Sequence, residues 1–369
     1  MVLSNKIRAP EQLSPTQLPI EEAITRQDEL LPGVSRTFAL TIPQLPEKLR
    51  IAITNAYLLC RIADTIEDDV SLDIQQKKAF HQRFISIVNK EEAVDSFGEE
   101  LSPLLSEKTI EAERILVEET ALVIQVTHSL NTAQQESLIR CVRIMCNGMP
   151  DFQRANTASG LSKMNDMDRY CYYVAGVVGE MLTELFCDYS TDINENKVEM
   201  MRLSTSFGQG LQMTNILKDI WDDQQANACW LPQEIFERHG LKLEQLSPDS
   251  ANHGFAEGMT ELIGIAHAHL HNALQYTTLI PKNEPGIRRF CLWAIGMAVL
   301  TLRNIHNNPT FLSGQEVKIS RRKVKATVAT TSLFCWSNRA LRMLFNIAQQ
   351  GLPKRNSFKI TDREGLAIE

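Results

Sequence analysis

Asp64 and Asp68 stand four residues apart in the stretch RIADTIEDDV, with Glu67 and Asp69 beside them. Asp219 and Asp223 repeat the spacing in NILKDIWDDQQ, with Asp222 alongside. On a helix, residues four apart share a face, and like charges there destabilise it by roughly 0.2–0.5 kcal/mol. Each cluster also closes a largely apolar segment, IAITNAYLLC in one case and FGQGLQMTNILKDIW in the other. If the two helix ends face each other, four or more carboxylates line one cavity mouth, and they repel unless hard cations bridge them. Mg²⁺ suits such a set: it takes few protein carboxylates, keeps waters and shares its remaining positions with substrate phosphate oxygens. It would then link protein to diphosphate and neutralise the charge building on a departing diphosphate. The plainer alternative is two acidic helix ends solvated at the surface.

The flanking residues favour the metal reading. Asn215 and Gln212 lie one and two turns before Asp219, where buried amides would orient ligands or substrate, Asn215 on the metal and Gln212 on the diphosphate. Arg36 and Arg61 are cations that could hold a phosphate, and Arg61 lies three residues before Asp64. With Ser35 and Lys218 they complete the candidate diphosphate-binding set. A second constellation is DMDRYCYYVAGVVGEMLTELF, residues 166–186, in which Tyr170, Tyr173, Gly176 and Gly179 share a helical stripe. Glycine inside a helix costs about 0.5–1 kcal/mol relative to alanine. Two on one face therefore imply close approach, either of another helix or of a bulky ligand. A tyrosine hydroxyl in an apolar cavity can accept or donate a proton, and aromatic faces can stabilise a carbocation.

The elements that must position these residues are helices. Apolar residues recur at three- and four-residue spacing over 47–66, 77–89, 107–130, 133–148, 165–187, 196–221, 256–279, 287–305 and 326–350. Alternating strand patterns are nearly absent, and turn-forming residues cluster at 246–254, 280–286 and 307–314. The expectation is an all-α, single-domain protein: a loose N-terminal arm over 1–30, a helical domain over 31–350 and a polar tail over 351–369.

Composition narrows the function further. The chain has 369 residues, 43% of them hydrophobic, and a net charge of -7, which argues against a general nucleic-acid binder. Its eight cysteines form no C-x-x-C pair and mostly sit in apolar helical contexts, as buried reduced thiols of a cytosolic protein do. No signal-peptide core opens the sequence. The longest apolar run, FCLWAIGMAVLTL, is shorter than the ~20 residues that cross a bilayer and reads as a buried helix. A cytoplasmic monomer is expected, with peripheral membrane contact if its product is greasy.

The blocks VSRTFAL, RIADTIEDD, DMDRYCYYVAGVVGEM and LQMTNILKDIWDD resemble, in order and rough spacing, the signature blocks of the squalene and phytoene synthases. The resemblance covers about residues 30 to 350. It implies the all-α isoprenoid synthase fold around a deep apolar pocket, and a head-to-head joining of two prenyl diphosphates. Mg²⁺ on Asp64, Asp68, Asp219 and Asp223 would help ionise one farnesyl diphosphate, whose cation attacks the second. Proton loss, to Tyr170 or to the diphosphate it helps position, would give the cyclopropyl intermediate presqualene diphosphate. A second ionisation, a rearrangement and a hydride from NADPH would complete squalene. Water would trap each cation, so a dry cavity is required.

Within the family the squalene-forming branch is the nearer match. FLSGQEVKISRRKV resembles a loop and helix start associated there with NADPH, and Lys318, Arg321 and Arg322 could pair with its phosphates, the alternative being a solvated basic stretch. No G-x-G-x-x-G follows a strand, so a nicotinamide would not sit on a Rossmann domain. One departure concerns QQANACWLPQEIF: Ala226, Asn227, Ala228 and Cys229 stand where the family usually carries an arginine, leaving Lys218 or another base to compensate. The membrane anchor that ends eukaryotic members is not seen, which implies a bacterial type. Competing readings are a redox-free relative making presqualene diphosphate, dehydrosqualene or phytoene, a terpene cyclase, and a non-catalytic helical interaction protein.

Overall fold

The computed structural model describes residues 18–154, 159–247, 253–354, 360–361 and 367–368. Thirteen helices of eight or more residues are found among them: α1 Ile20–Val34, α2 Glu47–Asp68, α3 Ile74–Val88, α4 Glu111–Glu118, α5 Thr120–Ser129, α6 Thr132–Arg154, α7 Met164–Cys171, α8 Val177–Tyr189, α9 Lys197–Gln225, α10 His253–Leu279, α11 Pro285–Asn307, α12 Arg321–Phe334 and α13 Asn338–Ala348. The only strands among the described residues are the two-residue pair Ile360–Thr361 and Ala367–Ile368. The all-α expectation holds.

Helix α9 is the axis. Its 29 residues extend roughly 43 Å at 1.5 Å per residue, and it packs against α8, α10 and α11. It is buried on most sides, as a helix carrying Met200, Leu203, Phe207, Met213, Leu217 and Trp221 should be. Two glycines let α8 and α9 close together. A Cβ on Gly179 would fall 2.1 Å from the Ser204 carbonyl oxygen, and one on Gly208 would fall 2.0 Å from that of Ala175. The glycine face of the 166–186 segment is thus a helix–helix seam, the first of the two options the sequence left open.

Four segments differ from the sequence reading. The arm expected to be loose over 1–30 is helical from Ile20, because Ala23, Leu30, Leu31 and Val34 have an apolar face to bury; residues 1–17 lie outside the described residues. The periodic stretch 107–130 is divided at Glu119, and 326–350 is divided at Cys335–Ser337. The stretch 165–187 is interrupted by a π-helical turn, Tyr172–Gly176, a feature that recurs at functional sites. Most of the expected polar tail lies outside the described residues. α3 starts on a capping box in which Asp73 accepts from Gln75 N and Gln76 N. α11, apolar and long enough to cross a membrane by length and composition, is 67% buried over its apolar window and serves as a core helix. All eight cysteines are buried thiols.

Candidate active site

Helix α2 is buried along most of its length, yet Tyr57, Arg61 and Asp64 stay half-open and Asp68 is exposed. Their spacings of four, three and four make one open stripe. Helix α9 carries the same kind of stripe in Gln212, Asn215, Asp219 and Asp223, with Asn215 exposed and the others half-open. Both stripes end in the aspartates. The amides are therefore more open than the buried pair the sequence suggested.

The carboxyls of the two helix ends feel one another's charge. Burial raises the Asp223 carboxyl to about 7, and the charges of Asp219, Asp68 and Asp222 add to the rise. Burial likewise raises Asp64 to about 7, with Arg61 opposing and Asp68 and Glu113 reinforcing. Asp68 is raised by burial too, against the pull of Arg61 and Lys77. Its side chain is nonetheless exposed. Tyr170 feels Asp68, Asp64 and Asp223 after burial itself, and its phenol is held well above the usual tyrosine range. Asp68 from α2, Asp223 from α9 and Tyr170 from α7 thus converge.

Asp69 belongs to the frame. Burial alone would raise it, but hydrogen bonds from Thr109 Oγ1, Ser106 N, Ser71 N and Leu72 N outweigh that and hold it low. Those from Ser106 N and Thr109 are 2.7 Å long. Lys77 of α3 donates from Nζ to the Glu67 carbonyl, fixing the same helix end.

Arg61 donates to Tyr57 Oη at 3.2 Å and pairs with Glu113 at 3.4 Å. Burial opposes its charge, but Asp64, Tyr57 and Glu113 outweigh burial and keep the guanidinium ionised. Tyr57 Oη donates in turn to the Val34 carbonyl at 3.1 Å. This chain joins Arg61 to the loop holding Ser35 and Arg36. Ser35 Oγ accepts from Phe38 N, at the start of the short helix Phe38–Thr41, at 3.0 Å, and Arg36 is exposed. Lys218 Nζ pairs with Asp219 at 2.9 Å.

Tyr170 does not share its surroundings with the glycines. Its ring stacks on Trp230, centroids 4.0 Å apart and planes 4° apart, and meets Phe152 edge-on at 5.5 Å. The π turn separates this residue from the glycine seam, so the single stripe expected from Tyr170 to Gly179 is split. Tyr173 is accommodated by Gly148 of α6. Trp230 comes from the stretch that lacks the family's arginine. There α9 ends in a Schellman motif: Ala228 N donates to the Asp223 carbonyl and Asn227 N to that of Gln224, with Asn227 at φ 61°. The departure in sequence is a helix stop that directs Trp230 onto Tyr170. Neither Trp230 nor Glu113 was singled out in the sequence, and only the CWLP aromatic after the second aspartates pointed to Trp230.

The segment expected to hold NADPH reaches the second aspartates. A Cβ on Gly314 would lie 2.7 Å from Asp219 Oδ1 and 3.2 Å from Asp222 Oδ2, so this backbone lies against the acidic end of α9. Lys318, Arg321 and Arg322 follow it and are exposed. Among the described residues no three His, Cys, Asp or Glu side chains converge closely enough to hold a metal alone. Paired hard-oxygen donors on opposite walls fit ions that complete their coordination on a substrate's phosphates.

Solved structures share this all-helical fold. A ligand complex of TcSQS superposes with a TM-score of 0.69 at 22% identity, covering 90% of this chain and 98% of that one. A dehydrosqualene synthase in complex with a ligand gives 0.61 at 18%, covering 85% and 97%. The squalene/phytoene synthase model matches residues 31–323, and the chain belongs to that family. Squalene synthase ERG9 of Gibberella zeae is 29% identical over 91% of this chain and 70% of its own length. That of Saccharomyces cerevisiae is 31% identical over 85% and 67%, and the squalene synthase of Cyberlindnera jadinii 32% identical over 79% and 64%. The chain thus spans about two thirds of the length of these relatives.

Proposed function

We propose that this chain is a squalene synthase, a farnesyl-diphosphate farnesyltransferase that joins two farnesyl diphosphates head to head through presqualene diphosphate and then reduces the product with NADPH. The observation that carries the reading is the convergence of Asp68, Asp223 and Tyr170 from three helices. The relatives named squalene synthase support it.

Asp64, Asp68, Asp219 and Asp223, with Asn215, would hold Mg²⁺, which when bound would supply the positive charge that a departing diphosphate requires. Arg61, kept charged and braced by Tyr57 and Glu113, binds the diphosphate together with Ser35, Arg36, Gln212 and Lys218. Tyr170 keeps its proton on Oη because its burial, and after it the charges of Asp68, Asp64 and Asp223, disfavour a phenolate. It therefore acts as a neutral hydrogen-bond donor that positions the diphosphate, and the diphosphate oxygens take the proton lost when the cyclopropane closes. Trp230 and Phe152 wall the phenol and keep water from the cation beside it. Lys318, Arg321 and Arg322 would hold the phosphates of NADPH, which when bound would supply the hydride of the last step. The enzyme works as one helical unit, a monomer in the cytoplasm.

The redox-free alternative draws on a specific observation: Lys318, Arg321 and Arg322 are all exposed. Incubation with farnesyl diphosphate and Mg²⁺ separates the two. Without NADPH, presqualene diphosphate should accumulate; with it, squalene should replace it. Neutralising Lys318 and Arg321 together should raise the NADPH requirement and leave the first step intact. If labelled hydride never enters the hydrocarbon, the chain is a redox-free relative.

A further inference from the structure

From Val317 to Thr361 the chain carries Lys318, Arg321, Arg322, Lys323, Lys325, Arg339, Arg342, Lys354, Arg355 and Lys359 and no acidic residue. The whole protein has 38 basic and 45 acidic side chains, so all of its acid lies elsewhere. This segment carries α12 and α13, and the family match ends inside it, at residue 323. The requirements of the family's chemistry therefore leave most of it unexplained.

Its apolar residues are placed against expectation for a protein surface. α12 buries one residue, Thr327, out of fourteen. At the corner between the helices Leu333 is 70% exposed and Trp336 50%, with Phe334 at 40%. α13 buries Leu341 and Phe345 inward, while Met343 and Ile347 stand 65% and 49% exposed. These two are four residues apart and share the outward face. Arg339 and Arg342 flank that face and are exposed as well. Five large apolar side chains on one corner exceed the scattered single exposures of an ordinary surface.

We propose that the α12–α13 corner docks on an anionic phospholipid surface. Met343, Ile347, Leu333, Phe334 and Trp336 enter the boundary between headgroups and acyl chains, while Arg339 and Arg342 meet lipid phosphates. An outward apolar face flanked by arginines is the pattern of helices that lie in that boundary. Acid-free basic segments are drawn to negatively charged leaflets even when the rest of the protein is acidic. The charge selects this occupant over a second copy paired through the same face, since two basic segments free of acidic residues would repel. The proposal stands independently of the reaction assigned above.

The test is sedimentation of the full-length protein with vesicles of phosphatidylcholine alone and of phosphatidylcholine mixed with phosphatidylglycerol, at low and high salt. Binding should require the anionic lipid and weaken with salt. Fluorescence should shift to the blue on binding, and Trp336→Phe should remove that shift. The pair Met343→Glu, Ile347→Glu and the pair Arg339→Gln, Arg342→Gln should each weaken binding by about tenfold or more. Both should keep the wild-type melting curve and turnover of detergent-dispersed substrate. Equal binding to neutral and anionic vesicles, no binding, or wild-type binding by both variants overturns the proposal. So does a dimer on gel filtration that the glutamate pair dissociates.

Discussion

Replacing Asp223 by asparagine should make the metal-free protein more stable and the enzyme inactive. Burial and the neighbouring carboxylates lift Asp223 from 3.8 to about 7. Three units amount to roughly 4 kcal/mol against the ionised form. Because the side chain keeps some contact with water, about half of that, roughly 2 kcal/mol, is the expected share. The sign follows from the folded value lying above the unfolded one. The contribution of this group is fully present below about pH 4 and is lost as pH rises to about 7. In chelator at about pH 8, Asp223→Asn should therefore melt about 2–3 °C above wild type, given the unfolding entropy of a chain this long. Below about pH 4 the gap should close. Mg²⁺ with inorganic diphosphate reverses the ranking. A ligand at a hundredfold its dissociation constant stabilises by about 2.7 kcal/mol, and wild type should gain this while the variant gains little. Thermal melts with and without chelator, paired with a turnover assay, read all of this. A variant no more stable than wild type in chelator at the higher pH would refute the argument from repulsion. Equal protection by Mg²⁺ and diphosphate would refute the metal assignment.

Tyr170→Phe should slow formation of presqualene diphosphate and leave the melting curve intact, since the ring stack with Trp230 needs no hydroxyl; rapid-quench product analysis decides it, and a wild-type rate removes the hydroxyl from that step. Asp69→Ala strips partners from Ser106 N, Thr109 and Ser71 N and should cost roughly 3 kcal/mol in denaturant titration, with the Mg²⁺-diphosphate stabilisation retained. Gly208→Ala drives a methyl into the Ala175 carbonyl and should cost about 2–3 kcal/mol by the same titration.

The aspartates could be read from sequence because their spacing, helical period and apolar context are local. Asp64, Asp68, Asp219 and Asp223 stand at helix ends, and the charge of Asp68 bears on Asp223. What escaped depends on packing between distant segments. Glu113 meets Arg61 across 52 residues, and no periodicity announces such a pair. Trp230 reaches Tyr170 only because the Schellman turn at Asn227 redirects the chain. Asp69 looks like its neighbours in sequence, yet its hydrogen bonds run to a loop some forty residues on. The tyrosine–glycine stripe assumed an uninterrupted α-helical period, which the π turn breaks. The arm over 20–30 looked loose because an amphipathic stretch rich in glutamate has no partner until α2 and α5 are in place.

The π turn between Tyr172 and Gly176 gives one continuous rod two angular phases. The half after it is pinned by the Gly179–Ser204 contact, and the half before it aims a phenol. Five residues in a π turn sweep about the arc that four sweep in an α turn. Rewinding these same residues as an α-helix would turn the first half by about 100° and sweep Tyr170 off Trp230 while the pinned half stays, whereas deleting one residue would restore the pitch and leave the aim intact. In lineages of such chains the bulge would thus come and go by single codons, with the phenol still facing its partner and the bundle itself undisturbed.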